Sequence, residues 1–190
     1  KYNKVEGDVL SEVINLKLFK SFLNHSKKFW HIKKISKKEL INFEAICDNF
    51  YRKKTLNRIN LFYDKFNYID NNTLINNETV PKLSSLLGNI NWNEVKKGIP
   101  SRFHGDYHFE NIIYNRKNKK FLFLDWRQNF GGLIKYGDLY YDLAKLLHGM
   151  IINHEIINKE HYNSSWKDNE INFKFRRKKS LIECEKYFYT

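Results

Sequence analysis

Asp106, Asn111 and Asp125 combine a carboxylate able to take a proton with two oxygen donors able to hold a hard cation. The first two lie in His104-Gly105-Asp106-Tyr107-His108-Phe109-Glu110-Asn111, and the third opens Asp125-Trp126, fourteen positions after Asn111. A positioned carboxylate can accept a hydroxyl proton while the oxygen forms a new bond. An amide oxygen and a carboxylate suit Mg²⁺, which keeps several waters and uses few protein groups. Residues 111–115 and 121–125 read as two strands joined by the polar turn 116–120. Such a hairpin returns its last residue to the side of its first, so Asn111 and Asp125 are expected to share one Mg²⁺. An isolated Asp or Asn is more often a turn cap. The ordered set argues for a site.

The Asp106-x-x-x-x-Asn111 step resembles the kinase catalytic loop, where the Asp receives the substrate proton and the Asn holds Mg²⁺. Together, His104-Gly105-Asp106-x-His108-x-x-Asn111, Leu124-Asp125-Trp126 and Gly137-Asp138-x-x-x-Asp142-Leu143-Ala144 resemble the aminoglycoside phosphotransferase and choline kinase family. The resemblance implies transfer of the ATP γ-phosphoryl group to a hydroxyl of a sugar, amino alcohol or aminoglycoside-like acceptor. Asp106 is then the catalytic base, and Asn111 and Asp125 hold Mg²⁺. His104 and His108 brace the loop, and Asp142 supports it from the following helix. Where many relatives carry an acidic residue, this chain has Arg127. A guanidinium there can hold a carboxylate or phosphate of the acceptor, and it ranks choline below a sugar.

The resemblance further implies an α+β fold: the mainly helical C-terminal lobe of a protein-kinase-like fold with a small catalytic hairpin. Residues 1–190 are expected to form that lobe as a fragment, with the nucleotide-binding β-lobe and its lysine outside the chain. The isolated chain is accordingly expected to be inactive or nearly so. Residues 1–7 fall at the family's inter-lobe hinge.

The elements that must position these groups read mostly as helices. Leu10, Val13, Ile14, Leu18 and Phe22 share one helical face, with Asp8 as the expected cap. Ser36-Lys37-Lys38-Glu39 fits a capping box. The helical spacing of Leu40, Phe43, Cys47 and Phe50, continued by Ile59, Phe62, Tyr63 and Phe66, predicts a core face. Residues 70–99 read as polar loop, 138–152 as a helix that Asp138 caps, and 159–172 have no assigned structure. Residues 153–155 read as part of an apolar helical run, and residues 183–190 as a helix.

The 190 residues suffice for one domain with a core, and a composition 42% hydrophobic and 16% aromatic excludes a disordered tail. The net charge of +13 raises the question of a nucleic-acid partner. The densest basic run, residues 174–179, is better read as a solvated helix face, and the general charge as attraction for a polyanionic nucleotide. Cys47 and Cys184 form no C-x-x-C, so neither zinc nor a disulfide framework is indicated. With no membrane-length apolar run and no signal-peptide pattern, a cytoplasmic protein is expected. Two other readings compete. A two-metal phosphoesterase would use Gly105-Asp106-Tyr107-His108 and residues 153–155, but no upstream Asp-x-His supplies its first ligands. A non-catalytic kinase-like binding module is the other.

Overall fold

A computed structural model describes residues 5–152 and 154–190. Of the expected hinge segment 1–7, residues 1–4 lie outside the described residues. The helix expected from Leu10 to Phe22 is broken. Asp8 does not cap it but lies in the short strand β1 (Asp8–Val9), and its carboxylate pairs with Arg116 at 2.5 Å. One turn, α1 (Leu10–Val13), gives way to extended backbone at Ile14, and α2 (Leu16–Phe29) starts afresh. The cause is Asn15, whose side-chain oxygen accepts the Leu18 N–H at 3.0 Å. An Asn competing for backbone donors favours a new cap over a continuous helix.

The helix expected after Ser36 is α3 (Lys37–Asp48), which runs through a π-helical turn (Asn49–Lys53) into α4 (Lys54–Phe66). The wider turn advances the helical phase, so one apolar face does not persist through both helices. Phe43 and Cys47 are buried, but Phe66 is 60% exposed, which corrects its expected place in the core.

Residues 70–99 are not a plain loop. They form a hairpin, β2 (Thr73–Ile75) and β3 (Glu78–Val80), then the short helices α5 (Leu83–Gly88) and α6 (Trp92–Val95). The hairpin turn is Asn76-Asn77, both at positive φ (52° and 68°), the conformation of tight two-residue turns and one that Asn tolerates.

Next come β4 (Pro100–Ser101), the 3₁₀ turn Phe109–Asn111, β5 (Ile112–Asn115), β6 (Lys120–Phe123) and β7 (Gly137–Asp138). Asp138 caps α7 (Leu139–Ile151), accepting the Tyr140 N–H at 3.2 Å. Helix α7 stops at Ile151, and His154 and Glu155 open the helix α8 (His154–Asn158); Asn153 lies outside the described residues. A second hairpin, β8 (Tyr162–Lys167) and β9 (Glu170–Phe175), occupies the segment whose polarity hid its structure. The chain closes with α9 (Lys179–Phe188). The basic run 174–179 is therefore not a helix face: it spans the end of β9, a connection and the start of α9. Arg177 within it pairs with Glu185 and donates to the Met150 carbonyl at 2.9 Å.

The result is α+β, helices with small sheets, divided into two compact units. The first draws on the chain up to Ser36, Gly98–His154 and Arg177–Thr190. Its sheets have orders β1-β5-β6 and β4-β7. Its core is strongly aromatic. Phe22 from α2 meets Tyr107 at 5.5 Å, Phe109 at 5.9 Å and Phe121 at 5.3 Å between ring centroids. Each such contact adds about 0.5–1.5 kcal/mol beyond burial of area. The fully buried Tyr107 donates its hydroxyl to Ser26, whose own hydroxyl donates to the Phe22 carbonyl at 2.8 Å. The second unit, Lys37–Lys97 with Glu155–Arg176, contains the sheet β3-β2-β9-β8. There the Asn76 amide both donates to the Phe173 carbonyl and accepts its N–H, at 2.9 and 2.8 Å. Among the described residues, no helix is long and apolar enough to cross a membrane.

Candidate active site

The loop carrying Asp106 is hung from α7. Asp142, fully buried, accepts the backbone N–H of His104 at 2.8 Å, that of Gly105 at 2.7 Å and the Trp30 indole N–H at 3.0 Å. Burial pushes its carboxyl up to about 6, while the two backbone donors and the indole pull the other way. These three bonds tie α7, the loop and the end of α2 to one carboxylate. Gly105, at φ +83°, has no room for a side chain: a Cβ would stand 2.4 Å from that of Arg127.

His104 is fully buried beneath the loop. Its Nδ1 accepts the Asp106 N–H at 3.3 Å, which puts the ring hydrogen on Nε2. Burial lowers its pKa, so the ring is neutral, and the nearby Leu124 backbone, Asp106 and Asp125 offset only part of that effect. Nε2 makes no hydrogen bond of good geometry among the described residues.

Asp106 is partly exposed, and both its oxygens are engaged. Oδ2 accepts the Asn111 amide N–H at 3.0 Å and lies 3.3 Å from His108 Nε2, while Oδ1 meets the Lys145 ammonium at 2.7 Å. Burial alone would raise its pKa, but Lys145 and His108 outweigh it and hold the carboxyl below its usual range. His108 is fixed on its other side by Glu110, 2.9 Å from Nδ1. That bond, with the charge of Asp106, raises the His108 pKa against the effect of burial.

The hairpin differs from expectation at its ends. Asn111 belongs to the 3₁₀ turn, and Leu124 and Asp125 lie beyond β6. Two backbone bonds nevertheless bracket Asp125: Leu124 N–H to the Asn111 carbonyl and Arg127 N–H to the His104 carbonyl, both at 2.8 Å. Asp125 itself takes left-handed backbone, φ +53°, which Asp tolerates better than most residues. Trp126 packs 5.1 Å from the His104 ring and 5.2 Å from Phe29. Arg127 directs its guanidinium to the Asn129 carbonyl at 3.1 Å and the Tyr141 hydroxyl at 3.4 Å.

His104, Asp106, His108, Asn111 and Asp142 are thus joined by direct hydrogen bonds, and Asp125 and Arg127 reach them through the backbone. Among the described residues, no cluster of three or more His, Cys, Asp or Glu side chains could chelate a metal. Beside Asp106 stands the Asn111 amide oxygen, since its nitrogen faces Asp106, and the exposed Asp125 carboxylate belongs to the segment whose neighbours bond the loop backbone. Two hard donors with solvent access fit Mg²⁺ and fit zinc poorly.

Residues 84–160 match the model of the phosphotransferase enzyme family. The matched segment holds Asp106, Asn111, Asp125 and Asp142. This match bears out the family resemblance read from residues 104–144. No curated protein and no solved structure matches the chain. The matched segment also contains Glu110 and Lys145, two charged residues of the candidate site that the sequence reading passed over. Glu110 stands two residues after His108. Lys145 follows Asp142 by three on α7, and that spacing puts both on one helix face. Trp30, 112 positions before Asp142, gave no local signal.

Proposed function

We propose that the chain is the catalytic, C-terminal lobe of a kinase-like small-molecule phosphotransferase, moving the ATP γ-phosphoryl group to a hydroxyl of a sugar-like acceptor. The observation that carries this reading is the setting of Asp106. It is a partly exposed carboxylate held ionised, in a loop fixed by Asp142, with Asn111 bonded to it and Asp125 bracketed beside the same loop. Phosphoryl transfer asks a protein mainly for position and charge, and this arrangement offers both.

Asp106 orients the acceptor hydroxyl and takes its proton as the new phosphorus–oxygen bond forms. The Asn111 amide oxygen and the Asp125 carboxylate would hold Mg²⁺, which when bound neutralises charge on the nucleotide phosphates. His104, buried and neutral, keeps the loop backbone in place. Lys145, with His108 whose pKa is raised beside it, makes the surroundings of Asp106 cationic, which disfavours an acceptor that is itself a cation; Arg127 would have to leave Asn129 and Tyr141 to meet an anionic acceptor group.

The test is ATP-dependent ADP release across a panel of sugars, amino alcohols and aminoglycosides, by the chain joined to its nucleotide-binding lobe, since this lobe alone is expected to be inactive or nearly so. Asp106→Asn should lower turnover by about 10²–10⁴-fold with little change in nucleotide binding. Asp125→Ala should weaken Mg·ATP binding and turnover together. Turnover near the wild-type value in the Asp106 variant would remove that residue from the mechanism.

A further inference from the structure

Lys145 makes the closest charged contact to Asp106, and nothing in the mechanism above gives it a role in the chemistry. Its ammonium lies 2.7 Å from Oδ1, with about a third of the side chain exposed. The opposite oxygen, Oδ2, is occupied by Asn111 and His108. An acceptor hydroxyl must therefore bind Asp106 at the second lone pair of Oδ1, next to Lys145. Two groups bonded to one carboxylate oxygen along its lone-pair directions stand about 4.5 Å apart. A phosphoryl group joining the hydroxyl oxygen then brings its own oxygens within reach of the ammonium.

On the phosphoryl-transfer reading, we propose that Lys145 is a catalytic residue that grips the phosphoryl group in transit. In the resting site its charge is matched by Asp106. As the acceptor oxygen bonds to phosphorus, the hydroxyl proton passes to Oδ1 and the carboxylate becomes neutral. The bond from phosphorus to the bridging oxygen breaks, and its electron pair leaves with the nucleoside diphosphate. Lys145, no longer held by a charge on Asp106, turns to the oxygens of the moving group. Its attraction is thus greater in the transition state than in the ground state, which is the condition for raising kcat. The flexible stem and three donors of a lysine allow that change of partner. The helix fixes its starting point, because Asp142, one turn earlier on α7, binds the N–H groups of His104 and Gly105. A purely structural role fits poorly, since an ion pair this exposed contributes little to a fold.

The experiment compares wild type, Lys145→Met, Lys145→Gln, Lys145→Arg and Asp106→Asn in the same two-lobed protein, with the nucleotide-binding lobe present. It measures kcat and KM separately for ATP and for the best acceptor of the panel, with thermal melts on every variant. The expected result is a fall in kcat of about 10²–10³-fold in the Met and Gln variants, the range for losing one transition-state donor. Both KM values should stay within about threefold of wild type. Arg should recover much of kcat, and the melts should barely move. If kcat survives in both neutral variants while Asp106→Asn is inactive, the proposal falls and the phosphotransferase reading stands. A rise in KM with unchanged kcat also overturns it, because Lys145 would then bind only the ground state. If wild type transfers phosphoryl to no acceptor in the panel, both fall.

Discussion

The His108 ring is pinned between two carboxylates, Glu110 at Nδ1 and Asp106 at Nε2. Its raised pKa is therefore a statement about stability. A histidine charged more readily in the fold contributes fully below its ordinary pKa of 6.5, and that contribution is lost as pH rises through the raised value. Glu110 stays ionised over the same span, because His108 outweighs the effect of its burial. Glu110→Gln should thus destabilise the protein more at pH 6 than at pH 9, as read from urea or thermal melts at the two values. Equal loss at both would show that His108 is not charged by this contact. The same pair shows what single positions disclosed. Asp106 and Asn111, five positions apart and bonded in the fold, were legible as neighbours because their spacing along the chain is short. Glu110 was not, because its role exists only once the 3₁₀ turn folds its side chain back on His108.

At the scale of elements, α7 matters most, since it carries both the anchor Asp142 and the cation Lys145. Asp142→Asn keeps the shape but sets an amide N–H₂ against one of three inward-pointing donors. Leaving such a donor unpaired costs about 1–3 kcal/mol. Amide exchange at His104 and Gly105 should accelerate in this variant, and turnover should fall. Unchanged exchange at those two amides would mean that the loop is held by something else. Helix α7 could be read from sequence because its apolar residues keep one period and Asp138 caps it. The break at Ile14 could not, because Leu10 to Phe22 also keep that period, and one side-chain bond from Asn15 decides against it. The Asn76-Asn77 turn was readable in principle, but the strands on either side are three residues each and too short to stand out from polar surroundings.

For the whole molecule, a net charge of +13 acts on any polyanionic substrate before contact. Attraction of this kind is screened beyond about 8 Å at physiological salt. On the proposed kinase reading, the KM for Mg·ATP should rise as NaCl increases from 20 to 300 mM, a range set to span about 20 to 5 Å of screening, with kcat changing much less. A flat KM would confine the role of the positive charge to solubility. The charge itself was plain from composition, whereas the division into two units was not, because each unit is assembled from segments that alternate along the chain.

That alternation bears on how the protein is made. Leu181 and Cys184 of α9 are buried in the same core as Phe19 of α2 and Met150 of α7. As the chain leaves the ribosome, α2 and the loop of Asp106 emerge long before the helix that seals them. Until then the aromatic cluster around Phe22 lacks one wall, and contacts spanning so much of the chain form slowly. The newborn protein thus passes through an interval in which the Asp106 loop exists but its core is open to chaperones and to sticking, and α9 acts as the latch that shuts that core.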